Sequence, residues 1–276
     1  EFNDRLTYLR NLEKRKEEVA KSITDQGKMT EEIRQALDAA TTLTEVEDIY
    51  RPYKQKKKTR ASVAIEKGLQ PLADFILAQD KNADVRAEAE KYVDEEKGVV
   101  TADEAIAGAK DIIAEIVSDD ANVRKKLRNL FMKNGEIQTK LVNADKEGAK
   151  TYEMYADYSE PVAEIKSHRV LAVNRGEKED FLKVKVVFND EIAKRIAGAG
   201  YLKDGGHSTQ LVQEAVEDGY DRLIYPSIER EIRAALTESA SEQAIKIFEV
   251  NLKPLLMQPP IKDKITLGLD PAYRTG

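Results

Sequence analysis

A mainly α fold, an elongated assembly of many helices with one small β element, is the architecture expected of this chain. Apolar residues recur at spacings of three and four along most of its length, whereas sustained alternation appears only at Leu182–Phe188. Aromatic residues make up 6% of the chain against 35% charged, a balance richer in helix formers than in strand formers. Several Thr-x-x-Glu and Asp-rich starts and Gly or Pro stops divide the apolar pattern into helix-sized pieces.

The first helix carries Leu6, Leu9, Leu12, Val19 and Ile23 as one stripe, with the charged run Glu13–Glu18 facing out. It begins without an initiator Met, so a segment upstream is expected. Gly27 stops it, and Thr30 caps a second helix with Ile33, Ala36, Leu37 and Ala40 inward. Thr42 and Glu45 form a capping box for a short helix bearing Val46, Ile49 and Tyr50, which Pro52 ends. A basic loop follows. Helical spacing resumes over Thr59–Gln79, interrupted at Gly68 and restarted near Pro71. Thr101 and Glu104 make another capping box ahead of Ala109, Ile112, Ile113, Ile116 and Val117. Asp119 and Asp120 are expected to cap the next helix, with Val123, Leu127, Leu130 and Phe131 inward and Gly135 as its stop.

Leu182–Phe188 alternates apolar and basic residues, and because a lone strand is unstable it predicts a small sheet. Ile196–Thr209 reads as a loop. Its Gly198 and Gly200 mimic part of a dinucleotide fingerprint, but Lys203 stands where the third glycine belongs, and His207 is expected exposed. After Pro226, Ile228, Ile232, Ala235, Ala244, Ile247, Phe248, Leu252 and Leu255 track one face of a long helix. Ile265–Leu269 has the look of a buried strand running into an Asp-Pro turn. Residues 1–263 are therefore expected as one helical region with a sub-boundary near 150–165, and 264–276 as the first strand of a further, truncated domain.

The formal charge is −6, with no cysteine and only two histidines, His168 and His207. That excludes disulfides, thiolate metal sites and a helical His pair. No apolar run approaches the ~20 residues of a membrane span, so the chain is expected in the cytoplasm and off the membrane. Neither a nucleophile–base pattern nor a phosphate loop emerges, so no enzyme, cofactor or metal site is expected.

Against the acidic background, Lys54, Lys56, Lys57, Lys58 and Arg60 fall within seven residues, next to Tyr50 and Tyr53. Residues 81–120 reverse the balance, with 12 acids against 5 bases. The run has two readings. Its cations face phosphates while Tyr50 or Tyr53 stacks on an unpaired base, or the tyrosines pack in the core and the lysines are only solvated. Ser167–Glu179 raises the same alternative: Ser167 caps a helix and Arg169 and Arg175 pair with carboxylates, or the two arginines contact phosphate.

Four stretches in register, Glu47–Ala73, Ser167–Val184, Asp221–Leu252 and Leu267–Gly276, resemble the Tex family of bacterial transcription accessory proteins. The resemblance implies a longer protein with a YqgF-type RNase H-like domain, a helix-hairpin-helix module and an OB-fold RNA-binding domain. It implies a cytoplasmic, nucleic-acid-binding role in transcription, with RNA or DNA bound mainly through domains outside this chain, and RNA polymerase or other transcription factors as partners. Asp270 would fall at the first carboxylate of an RNase H-like site, a site the family carries in degenerate form. Arg51 and Gln55 depart from the family's apolar and proline preferences around "PYK", and Ala272 replaces a glycine common after "DP". The expected function is a nucleic-acid-binding transcription accessory protein, with this chain as helical scaffold and accessory electrostatic contact. The alternative is a protein-docking scaffold without nucleic-acid contact.

Overall fold

The computed structural model describes residues 2–54, 57–203, 206–259, 262–265 and 267–269. The described residues are mainly helical, as expected, with one three-stranded sheet. In order they form α1 (Phe2–Asp25), α2 (Glu31–Ala39), α3 (Leu43–Tyr50), α4 (Arg60–Glu66), α5 (Gln70–Ala78), α6 (Val85–Glu90), α7 (Ala102–Asp119) and α8 (Ala121–Asn134). Then come β1 (Glu136–Leu141), β2 (Asp157–Pro161), α9 (Ser167–Lys178), β3 (Leu182–Val187), α10 (Asp190–Gly198), α11 (His207–Gly219) and α12 (Tyr225–Leu256).

These elements enclose two separate apolar cores. The smaller lies among α1–α3 and contains Leu12, Val19, Ile23, Leu37, Ala40 and Val46. The α1 stripe is thus real at its centre and C-terminal end, while at its start Tyr8 packs against the small core and Leu9 remains exposed. The larger core runs from Ala61 to Ile232, with α7 at its centre: Ile112, Ile113, Ala114 and Val117 are all buried. Ile116, on the flank of the same stripe, is exposed.

Helix starts follow the expected chemistry with one refinement. Thr42 Oγ1 accepts from Glu45 N (3.2 Å) and Thr101 Oγ1 from Glu104 N (3.2 Å). In both, the glutamate reaches one residue further back, to the N–H of Thr41 (2.8 Å) or Val100 (2.8 Å). Asp120 caps α8 through Asn122 N (2.8 Å) and Val123 N (3.1 Å). Asp119 does not: it is the last residue of α7, and its carboxylate accepts from Arg51.

The sheet is antiparallel with order β2-β1-β3. Leu182, Val184 and Val186 point inward and Lys183 and Lys185 outward, which is the alternation read at Leu182–Phe188. β1 obeys the same period, with Ile137 and Thr139 inward. Buried Thr139 is tolerable because its hydroxyl donates to the Tyr155 carbonyl (2.5 Å).

Two expectations fail, and a third is refined. The 196–209 loop is short, because α10 runs through Gly198 and α11 opens at His207, whose side chain lies outside the described residues. The long helix is present with Pro226 in its first turn, as expected, but it is not a fresh start: α11 continues into α12 through a π-helical turn, Tyr220–Ile224, in which Tyr225 N bonds back to the Tyr220 carbonyl. The apolar face of α12 is buried only as far as Ala240. Ala235 is exposed on the flank of that face, and beyond it Ile247, Phe248 and Leu255 are exposed, with Ala244 and Leu252 half-buried. Of the segment expected to open a further domain, Thr266 and residues 270–276 lie outside the described residues; Ile265, Leu267 and Leu269 are exposed.

Gly219 sets how closely α11 approaches α7. A Cβ there would lie 2.8 Å from the Ala114 carbonyl oxygen and 3.2 Å from its Cα, and backbone cannot swing aside as a side chain can. Gly219→Val is expected to lower stability by about 1–3 kcal/mol in urea unfolding. An unchanged midpoint would show that the two helices can part without loss.

Candidate nucleic-acid interface

The basic run leaves the end of α3 through a 3₁₀ turn, Arg51–Tyr53, enforced by Pro52. Both tyrosines face the smaller core and are half-buried there. Tyr50 Oη lies 3.0 Å from Ser22 Oγ, and the Arg15 guanidinium sits 5.6 Å from its ring centre. Gln26 Nε2 donates to the Tyr53 carbonyl (3.0 Å), fixing the turn against α1. Each ring therefore has a packing role within the fold.

Lys54 is exposed and borders a cleft that also holds Glu18 and Asp25. Lys57 is exposed, and Lys56 lies outside the described residues. Lys58 is 3.7 Å from Glu66, an exposed pair worth little. Arg60 opens α4 just past a capping box in which Thr59 and Ser62 bond each other's backbone N–H (2.8 and 3.0 Å). Lys58, Arg60 and Lys67 share an open groove with Glu104 and Asp111. Burial pushes the Asp111 carboxyl up from its ordinary range, against the opposing pull of Arg222 and Arg60.

Beneath the run, a polar seam joins the two cores. Arg51 Nε donates to Asp119 Oδ1 (3.0 Å), and Lys125 Nζ pairs with Glu45 (2.7 Å). Glu45 is held down at about 2, first by Lys125 and then by the Thr41 N–H. Deeper, fully buried Arg124 donates to Asp48 (3.0 Å), Ser227 (3.0 Å) and Glu231. Arg128 pairs with Asp48 (2.9 Å) and Glu231 (2.8 Å). Burial raises the Glu231 carboxyl, but Arg124 and Arg128 outweigh it and hold the group below its ordinary range. Sequence reading passed over this cluster, although a signal existed: Arg124 stands at i, i+3, i+7 with Leu127 and Phe131 on the buried stripe of α8.

The second predicted pair of arginines is divided. Arg169 Nη1 pairs with Glu160 (2.6 Å) and lies 3.3 Å from Tyr158 Oη, whereas Arg175 is exposed further along α9. Ser167 does not cap α9. It is the first residue inside the helix, and its hydroxyl bonds Gln243 on α12 (2.5 Å), tying the two helices together. His168 is exposed beside it. The structure thus brings Lys54, Lys57, Lys58, Arg60 and Tyr53 to one end of the seam and leaves Arg169 and Arg175 on another element. Asp270 lies outside the described residues.

The family model described as Tex central region-like matches residues 80–248, more than half of the chain. The chain belongs to the Tex family. Within the curated Tex relatives, the Neisseria gonorrhoeae transcriptional accessory protein Tex is 37% identical over 99% of this chain and 36% of its own length. An uncharacterized Bacillus subtilis protein, YdcI, is 49% identical over 100% of this chain and 38% of its own length. Human S1 RNA-binding domain-containing protein 1 is 28% identical over 100% of this chain and 29% of its length. The chain therefore spans little more than a third of the Tex relatives it matches most fully. The Tex central region takes in α7, α8, the sheet, α9 with Arg169 and Arg175, and the buried half of α12, while the basic run precedes it. Among the described residues no helix is long and apolar enough to cross a membrane.

Proposed function

We propose that this chain is the helical platform of a cytoplasmic, nucleic-acid-binding transcription accessory protein. It performs no catalysis of its own, and its basic run serves as an accessory, sequence-independent contact to phosphate. The observation that carries the reading is the exposure of Lys54, Lys57 and Lys58 at one edge of a chain whose net charge is −6. An acidic surface repels phosphate except at such local patches. The names of the relatives, transcriptional accessory protein and S1 RNA-binding domain-containing protein, support the same class of partner. RNA polymerase or other transcription factors are proposed as protein partners. A protein-docking scaffold is the second reading, favoured by the exposed apolar residues of distal α12, including Ile247, Phe248 and Val250.

Fluorescence anisotropy over a salt series tests the first reading. The chain alone is expected to bind in the non-specific range, roughly 10⁻⁴ to 10⁻⁶ M at physiological salt. Replacing Lys54, Lys57 and Lys58 with alanine is expected to reduce the log–log salt slope on duplex DNA by about 2–3, since each phosphate contact contributes ~0.9. The melting temperature should stay nearly constant, because the pairing lost is exposed. An unchanged slope would assign these lysines to solvation alone.

A further inference from the structure

We propose that the solvent face of the sheet is a second phosphate-binding surface, fitted to the backbone of a single-stranded nucleic acid; this rests on the nucleic-acid-binding reading above. Register puts Lys140 of β1 directly opposite Lys183 of β3, and Gln138 opposite Lys185. Directly paired residues on adjacent strands share a face, so Lys140, Lys183 and Lys185 project to the same side, and all three are exposed. Like charges placed directly opposite destabilise a sheet, and the usual remedy is an acid on the partner strand.

Here that remedy stands beside Lys140 and not beside the two lysines of β3. Asp157 faces Lys140 from β2, and Glu136 lies at the far end of β1, where the Ser159 hydroxyl donates to it (2.8 Å). Among the described residues no carboxylate comes within ion-pair distance of any of the three lysines, although Lys110, Lys125 and Lys194 elsewhere have one. Lys183 and Lys185 thus face a lysine and a glutamine across the strand with no acid directly opposite, and this excess of cation along β3 is what a phosphate backbone would neutralise.

The spacing specifies the ligand. Lys183 and Lys185 are two residues apart on one strand, about 7 Å, commensurate with successive phosphates of an extended single strand. The outward positions of the three strands (Glu136, Gln138, Lys140; Asp157, Ser159, Pro161; Lys183, Lys185, Val187) include no aromatic ring on which a base could stack. The surface therefore tracks backbone and reads no sequence.

The test compares the whole chain with Lys140→Gln/Lys183→Gln/Lys185→Gln, using labelled single-stranded RNA and DNA 20-mers and a duplex of the same sequence. A second variant, Lys126→Gln/Lys246→Gln/Lys253→Gln, removes equal charge from other elements. The sheet variant is expected to reduce the single-strand salt slope by about 2, at ~0.7 per phosphate, and to bind roughly tenfold more weakly at low salt. Its melting temperature should hold or rise slightly, as the opposed lysines no longer repel. An equal effect from the second variant assigns the loss to net charge and overturns the proposal, and an equal loss on duplex overturns the single-strand assignment. If the Lys54/Lys57/Lys58 variant weakens binding and the sheet variant does not, the sheet is excluded while the basic-run reading stands. Absence of any binding by the unaltered chain at low salt removes both.

Discussion

Arg124→Ala is expected to destabilise the protein by about 3–5 kcal/mol in chemical unfolding. Arg124 is fully buried and donates to groups on two other elements, Asp48 of α3 and Ser227 and Glu231 of α12. Truncation leaves Asp48, itself buried, and half-buried Glu231 to share the one cation Arg128, with the Ser227 hydroxyl still donating to Glu231 (3.0 Å). The loss comes from the uncompensated carboxylates more than from the bonds themselves. A paired replacement separates the two contributions: Arg124→Met with Asp48→Leu removes both charges and is expected to recover much of the loss. A single-variant loss below about 1 kcal/mol would show that Arg128 alone satisfies both acids.

Ile232→Asp is expected to be at least as severe, on the order of 4 kcal/mol or more, as it removes a buried aliphatic side chain and places an unpaired carboxylate in the larger core. Phe248→Asp on the same helix should change the thermal melt very little, because Phe248 is 66% exposed. Comparable losses for the two substitutions would mean that distal α12 is covered in solution.

That contrast shows where the sequence was legible. Periodicity identifies an apolar face but carries no information on whether another element lies against it. Ile232 and Phe248 therefore read alike, and only the placement of α8 and α9 distinguishes them. Caps and strand alternation are local, and those at Thr42, Thr101, Asp120 and Leu182–Val187 are found where they were expected. β1 and β2 escaped notice because their less exposed positions are not all apolar, Thr139 standing between Ile137 and Leu141 in β1 and Glu160 following Tyr158 in β2, whereas β3 is apolar at every second position. At the candidate interface, the basic run was plain from composition. Its surroundings were not, since Arg51–Asp119 and Asp48–Arg124 join residues 68 and 76 positions apart. Residues 47–60 alone allow Tyr50 and Tyr53 either to pack or to stack on a base, and the contacts that decide for packing come from Ser22 and Gln26 at the end of α1.

The π-helical turn at Tyr220–Ile224 works as a phase corrector on a screw. Buried Val216 and Ile228 are twelve residues apart, and at about 100° per residue an uninterrupted α-helix would set them about 120° out of line. A π turn absorbs roughly one extra residue, so the same span advances as though it held eleven, and the mismatch shrinks to about 20°. One continuous rod can thereby keep Val212 and Val216 against α7 while Ile228 and Ile232 still face the core. Deleting a single residue from Tyr220–Ile224 would leave a regular helix with α12 still in phase, whereas winding the same five residues into ordinary α-helix would rotate the whole of α12 by about 100°, more than a quarter turn. In this stretch the surplus residue and the wider turn compensate one another.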